Sequence, residues 1–413
     1  MKTRATKDKA TTGLVPKLRF PAFQSAGDWT TEKLGTVATI STEKVGNNVC
    51  VPMSITSGVG LVSQQDKFGR VIAGDSYKNY LLLKPNDFAY NKSATKEYPE
   101  GFLTLYAGTE LAAVPNSIFT CFRINGESPD VRFLNYQFSD NLHGRWLRKF
   151  IQVGARAHGS LSINDSDLMA LPVPVPAGKT SVAEQQRIAD CLGSLDELIA
   201  AQGRKVEALK THKKGLMQRL FPREGETQPR LRFPEFQSSG EWEEKYLEEL
   251  SETISSGRDK AAQDGAFDLY GSTGIIGKTN SASFSGTFIL VARVGANAGL
   301  LNKATGEFGV TDNTLVIVLK TQRDINSEFV FFYLSHIGLN KMIFGSGQPL
   351  ITGGQLKALN IQLPKAKEQQ RIADCLSSID TLITAATQAL DTLKSHKQGL
   401  MQQLFPSAEA LEA

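Results

Sequence analysis

The chain contains an internal repeat, and the repeat is uneven. Residues 16–29, PKLRFPAFQSAGDW, return at 229–242 as PRLRFPEFQSSGEW. Residues 184–222, EQQRIADCLGSLDELIAAQGRKVEALKTHKKGLMQRLFP, return at 368–406 as EQQRIADCLSSIDTLITAATQALDTLKSHKQGLMQQLFP. About two-thirds of these aligned positions are identical, and the two blocks recur at different offsets. The stretches between them, 30–183 and 243–367, therefore differ in length. They share little sequence except at their ends, where DLMALPVPVP (167–176) resembles QLKALNIQLP (355–364). Duplication followed by even drift would blur both parts alike. Something requires the flanking blocks to stay the same and the inserts to differ.

The 184–222 block keeps an alternating four-three apolar spacing: Ile188, Leu192, Leu195, Ile199, Gln202, Val206, Leu209, Lys213, Leu216 and Leu220. Its twin keeps Ile372, Leu376, Ile379, Ile383, Ala386, Leu390, Leu393, Lys397, Leu400 and Leu404. A 3.5-residue apolar period is the signature of a coiled coil. Each helix follows a proline-marked extended stretch ending at Pro176 or Pro364 and stops at Pro222 or Pro406. About 35 residues at 1.5 Å rise make a rod of roughly 50 Å. Such a rod cannot bury its stripe alone. Pairing between chains is one solution; pairing with the tethered twin is favoured by effective concentration. If the connecting module is compact, the pair runs antiparallel and the halves are related by an approximate two-fold axis. The polar positions Gln202, Lys213 and Lys397 are candidates for fixing register. His212 and His396 occupy matched positions and read as structural or surface residues.

Both inserts mix β-rich runs with Gly, Asn and Ser turns and one helical stretch, which suggests α+β modules. In the first, 79–91 and 116–124 read as strands and 132–152 as a helix; in the second, 287–295 and 313–320 read as strands and 329–344 as a buried helix. The glycine-rich stretches 154–160 and 345–349 hold corresponding places, and glycine lets backbone approach a ligand closely. Arg and Lys match guanine edges, and Asn or Gln match adenine edges. On that chemistry the candidate reading residues of the first insert are Asn91, Lys92, Lys96, Arg145, Lys149, Arg156, His158 and Ser160. Those of the second are Tyr270, Ser272, Thr273, Lys278, Arg293, Asn297 and Gln348. Taken singly, each of these also reads as an ordinary solvated side chain.

Composition narrows the remaining classes. A net charge of +4 permits a nucleic-acid partner without announcing one. Both inserts are close to neutral, which suggests that other subunits supply part of the electrostatic grip. Cys50, Cys121, Cys191 and Cys375 have no zinc-ligand spacing and read as thiols of a reducing compartment. The first sixteen residues carry Lys2, Arg4, Lys7 and Lys9 without an apolar core, so a basic tail is expected rather than a secretory signal. No apolar run approaches a membrane span, and a cytoplasmic protein is expected. GSTGIIGKT (271–279) imitates a phosphate-binding loop but has Ser272 where the motif needs glycine. No metalloprotease, nucleophile-elbow or amino-methyltransferase motif is found, and no covalent chemistry is expected of this chain.

The repeated EQQRIADCL, GLMQxLFP and LRFPxFQ blocks, with YGSTGIIG, RVGANAG, TDN and QPLITGGQLKAL in the second insert, resemble the specificity subunits of type I restriction–modification enzymes. The resemblance covers nearly the whole chain. It implies an α+β architecture: two target-recognition domains of mixed α and β structure, separated by two long antiparallel coiled-coil helices in a pseudo-two-fold arrangement. In those terms, 1–16 is a basic tail, 17–183 and 223–367 are recognition domains, 184–222 and 368–406 are helical spacers and 407–413 is a tail. The helix-pairing residues are Ile188, Leu192, Leu195, Ile199, Val206, Leu209, Leu216, Ile372, Leu376, Ile379, Ile383, Leu390, Leu393 and Leu400.

The resemblance further implies that each domain reads half of a bipartite site on double-stranded DNA. Two modification (methyltransferase) subunits dock on the helices, and restriction subunits join through the complex. No cofactor belongs to this chain; S-adenosylmethionine, ATP and Mg belong to the partners. Two alternatives stand beside it: a coiled-coil scaffold presenting two protein-binding modules, and an enzyme with an unfamiliar site around Arg293 and Lys278.

Overall fold

The computed structural model describes residues 14–56, 58–151, 159, 161–321, 324–343 and 349–407. The chain divides into two compact units, Met1–Ala201 with Asp391–Ala413, and Gln202–Leu390.

The first unit opens with β1 (Thr30–Lys33), α1 (Leu34–Val37) and β2 (Ala38–Ser41). It continues through β3 (Val51–Thr56), β4 (Gly60–Ser63), α2 (Gln64–Phe68), β5 (Leu81–Leu83), β6 (Phe88–Asn91), β7 (Phe102–Leu105), β8 (Ala112–Val114) and β9 (Phe119–Ile124). Then come α3 (Val131–Ser139), α4 (Leu142–Leu147), α5 (Asp165–Met169), β10 (Pro172–Val175) and the long α6 (Ser181–Leu220). Two four-stranded sheets result, ordered β2-β9-β6-β7 and β4-β3-β8-β5, while β1 and β10 pair antiparallel as a two-stranded neck.

The strand expected over 79–91 is two strands. Asn86 adopts φ 71°, and the buried Asp87 carboxylate accepts from the Lys84 amide at 2.8 Å and binds Arg123 at 2.6 and 2.7 Å, so a tight turn interrupts the ladder. The helix expected over 132–152 likewise breaks at Asn141, which sits in the left-handed region at φ 62°.

The second unit runs β11 (Glu243–Tyr246), α7 (Leu247–Leu250), β12 (Ser251–Ser256), β13 (Phe267–Gly271), β14 (Gly274–Thr279), β15 (Phe284–Ala292), β16 (Leu301–Val310) and β17 (Thr314–Leu319). It ends with α8 (Ser327–Ile337), α9 (Gly353–Lys357), β18 (Asn360–Leu363) and α10 (Ala366–Leu404). One six-stranded sheet is ordered β12-β17-β15-β16-β13-β14, and β11–β18 form the neck. The helix expected over 329–344 ends earlier, at Gly338 with φ 73°, where a left-handed glycine closes the last turn.

The two inserts share a topology that their sequences hide. β2 and β9 occupy the places of β12 and β17. The long strands β15 and β16 are each cut in two in the first unit, as β5 with β6 and β7 with β8. In both units the strand opening the edge hairpin pairs in parallel with its inner neighbour, β3 with β8 and β13 with β16.

Both long helices start slightly before the repeated blocks. At 1.5 Å per residue, the 40-residue α6 extends roughly 60 Å. None of the fourteen apolar heptad residues expected to pair is exposed. In the first unit Lys397 binds Asp196 at 2.5 Å, and Ile188, Ala189 and Leu192 share a core with Met401, Leu404 and Phe405. In the second, the Gln202 amide donates to the Ala386 carbonyl at 2.8 Å, Lys213 binds Asp380 at 2.6 Å, and Leu220 and Phe221 share a core with Ile372, Ala373 and Leu376. Within each unit, partner numbers fall along one helix as they rise along the other, so the paired segments are antiparallel.

Candidate nucleic-acid interface

Each insert is fastened to its helix by the same side chains. Arg19 of the LRFP block donates from Nε and Nη2 to both oxygens of Glu184, each at 2.7 Å; Arg232 repeats this with Glu368. Glu184 and Glu368 are almost wholly buried. These hydrogen bonds push both guanidinium pKa values above their usual range. The next residue finishes the joint. Gln185 accepts from the Asp130 amide at 2.7 Å and Gln369 from the Asn326 amide at 2.9 Å. Asp130 and Asn326 in turn cap α3 and α8. Repetition of EQQ and LRFP is thus explained by the anchoring of the modules. These residues were not among the sequence candidates; the signal was a charged Arg and Glu retained together in both copies.

At the loop end of the six-stranded sheet, four segments converge. The Ser272 hydroxyl donates to the Asn313 carbonyl at 3.2 Å, and the Arg293 amide donates to the same carbonyl at 2.9 Å. The Thr311 amide donates to the Tyr270 carbonyl at 3.0 Å, and the Ile351 amide donates to the Arg293 carbonyl at 2.8 Å. Tyr270, Ser272, Thr273, Arg293 and Asn297 therefore belong to one cluster, with Thr273 and Asn297 exposed. Asp312 and Asn313, also exposed, join it although the candidate set omitted them; they lie in the TDN triplet. The Arg293 Nε is buried and has no partner among the described residues, so its guanidinium has spare donor capacity. Lys278 stands apart, at the far end of the β13–β14 hairpin, bound to Asp268 at 2.8 Å. The GSTGIIGKT segment is an antiparallel hairpin, not a loop leading into a helix, which agrees with its failure as a phosphate-binding motif.

In the first insert, Asn91 is buried at the end of β6, where its Oδ1 accepts from the Ser93 amide at 2.8 Å and shapes the loop carrying Lys92 and exposed Lys96. Arg145 binds Asp140 at 2.8 Å, and the exposed Lys149 ammonium lies 3.2 Å from the Trp146 ring centroid. These two groups of cations are joined through the 98–101 turn. Arg148 donates to Glu100 at 2.7 Å, and His143 meets the Gly101 carbonyl at 3.4 Å. Burial lowers the His143 pKa to about 4, so it is neutral at physiological pH and serves the core. Arg156, His158, Ser160 and Gln348 lie outside the described residues.

Among the described residues no three His, Cys, Asp or Glu side chains converge as a metal site, and no helix is long and apolar enough to cross a membrane. Loops carried by a rigid sheet are where binding side chains are commonly placed.

Residues 239–395 match the family model of the type I restriction modification DNA specificity domain. A Methanocaldococcus jannaschii protein assigned as the type I restriction enzyme MjaX specificity subunit is 27% identical over 282 residues, 64% of this chain and 65% of its own. The Escherichia coli type I restriction enzyme EcoprrI specificity subunit is 30% identical over 122 residues, 30% of each chain. The alignments thus span just under two thirds of one curated relative and under a third of the other. The crystal structure of a type I restriction-modification S subunit from M. genitalium shares the fold, with a TM-score of 0.60 at 15% identity, over 95% of this chain and 100% of that one. The chain is thus similar in sequence, over its matched parts, to type I restriction–modification specificity subunits, and it shares the fold of the solved one.

Proposed function

We propose that this chain is the non-catalytic DNA sequence-specificity subunit of a type I restriction–modification complex. Each insert reads one half of a bipartite, asymmetric site. The two helices, antiparallel and related by an approximate two-fold axis, set the spacer between the half-sites and dock two modification subunits. S-adenosylmethionine, ATP and Mg act on partner subunits, and the adenine to be methylated is extruded into a partner's pocket.

One observation carries this reading: two inserts of matched strand order, one with its long strands each cut in two, hang from two matched necks, yet their loops present unlike side chains. A scaffold that must hold two readers equivalently, while each reads different letters, needs that combination. Duplex DNA suits it, since half-site spacing follows protein geometry. Matched leucines support docking of a partner in two copies: Leu198 and Leu382, equivalent in the repeat, are 54% and 55% exposed outside the heptad stripe.

The test is binding of host DNA by the full chain with its modification subunits across a salt series. Counterion release predicts log K falling linearly with log salt, by about 0.9 per phosphate contacted. Salt-independent binding, or none, would leave the protein-binding scaffold as the better reading.

A further inference from the structure

The β13–β14 hairpin lies at the edge of the six-stranded sheet and leaves two adjacent apolar side chains uncovered, Ile275 at 56% and Ile276 at 53% exposure. An exposed apolar edge strand invites association, and proteins retain one where something covers it. The hairpin is built to aim these residues. Tyr270 pairs with Ile275 but Leu269 pairs with Gly277, so the register shifts and Ile276 is the extra residue of a bulge. Its Cδ1 lies where a Cβ on Gly271 would come within 2.8 Å, so glycine there gives the isoleucine its seat. Gly274, at φ 102°, closes the turn.

The corresponding hairpin of the other insert also exposes an aliphatic side chain, though at its turn rather than on the strand behind it. The β3–β4 hairpin, topologically equivalent, exposes 71% of Val59 between Gly58 and Gly60, both at positive φ. Two inserts with little shared sequence keep an uncovered aliphatic on the corresponding ribbon.

We infer that Ile275 and Ile276 contact thymine methyl groups in the half-site read by the second insert, with the β13–β14 ribbon entering the major groove. This rests on the DNA-reading function proposed above. Three observations favour that occupant. The hairpin turn is continuous, through Ser272 and Asn313, with the polar loop cluster of Arg293 and Asn297. A two-stranded ribbon fits the major groove, and the thymine C5-methyl is the apolar feature exposed on base edges there. The leading tip of the hairpin is polar, Ser272–Thr273, and the isoleucines follow on the strand behind it. An intercalating wedge would need its apolar side chain at the tip.

The experiment uses the full chain with its modification subunits and a duplex carrying the sequence methylated in the host. Thymines are replaced one at a time by deoxyuridine, which deletes only the methyl. Wild type is expected to bind about three- to fivefold more weakly at one or two positions of one half-site, the worth of a buried methyl. Ile275→Ala/Ile276→Ala is expected to bind the unmodified duplex more weakly and to lose its sensitivity to deoxyuridine. Ile275→Val/Ile276→Val is expected to keep it. Wild type indifferent to every replacement would overturn the inference. So would an alanine variant as sensitive as wild type, or one that loses only its modification subunits. Absence of any salt-dependent binding by wild type would instead refute the DNA-reading function itself.

Discussion

Replacing Glu184 by Leu tests how the first module is held to its helix. The carboxylate is 1% exposed and is bonded by both Nε and Nη2 of Arg19, itself 10% exposed, with the Trp29 indole N–H at 3.3 Å. Removing the acid strands a buried guanidinium. Loss of one partner of a buried ion pair costs about 3–5 kcal/mol, because the remaining charge is desolvated without compensation. At roughly 2–4 °C per kcal/mol for a unit of this size, the melting temperature of the first unit should fall by about 6–20 °C. The informative comparison is Arg19→Met/Glu184→Leu. With both charges gone, only the Trp29 N–H and the Ala26 carbonyl lose a partner, so the double variant should be more stable than the single one. Calorimetry gives the melting temperature, and peptide-resolved hydrogen exchange locates the damage. Glu184→Leu should accelerate exchange at the start of α6, and Glu368→Leu at the start of α10. A double variant as unstable as the single one would refute the electrostatic account, as would an unchanged melting temperature in Glu184→Leu.

Three further outcomes follow from particular contacts. His143 titrates near 4 in the fold against about 6.5 free, so its stabilising neutral form is fully populated above pH 6.5 and its contribution is lost as pH falls towards 4, by roughly 3 kcal/mol in all. His143→Gln should flatten the acid limb of the stability curve in that window; an unaltered pH profile would show that other groups set it. Exchanging the partners Lys213 and Asp380 should restore most of the loss caused by either Lys213→Asp or Asp380→Lys, in urea denaturation, with the pair itself worth under about 1 kcal/mol because Asp380 is well exposed. Gly299 sits at φ 86° with the Asn340 amide 2.6 Å from any added Cβ, so Gly299→Ala should destabilise the second unit by roughly 2–4 kcal/mol and weaken DNA binding together with it.

The long helices were legible because a heptad stripe is a one-dimensional pattern; its residues could be named from spacing alone. The strands of the inserts were only partly so. The 313–320 run is β17 within a residue at each end, whereas 79–91 hides a turn set by the contact of Asp87 with Arg123, which lies 36 residues away. Sheet order was not legible, since parallel pairing of β13 with β16 joins segments about 40 residues apart through contacts that leave no local period. For the candidate interface, chemical type brought Tyr270, Ser272, Thr273, Arg293 and Asn297 onto the page, and folding gathers them. It also brought Lys278, which folding sends to the other end of its hairpin, and it missed Asn313, whose backbone carbonyl organises the cluster. Ile275 and Ile276 escaped notice because an apolar pair in a strand reads as core until the edge position is known.

Base-resolved mapping of methylated host DNA, before and after exchange of one insert, tests the central claim most directly. The graft replaces residues 34–171 by the corresponding insert of a relative and leaves β1, β10 and both long helices in place. One half of the methylated sequence should change while the other half and the spacer length stay as they were. Simultaneous change of both halves, or of the spacer, would contradict independent reading by two modules.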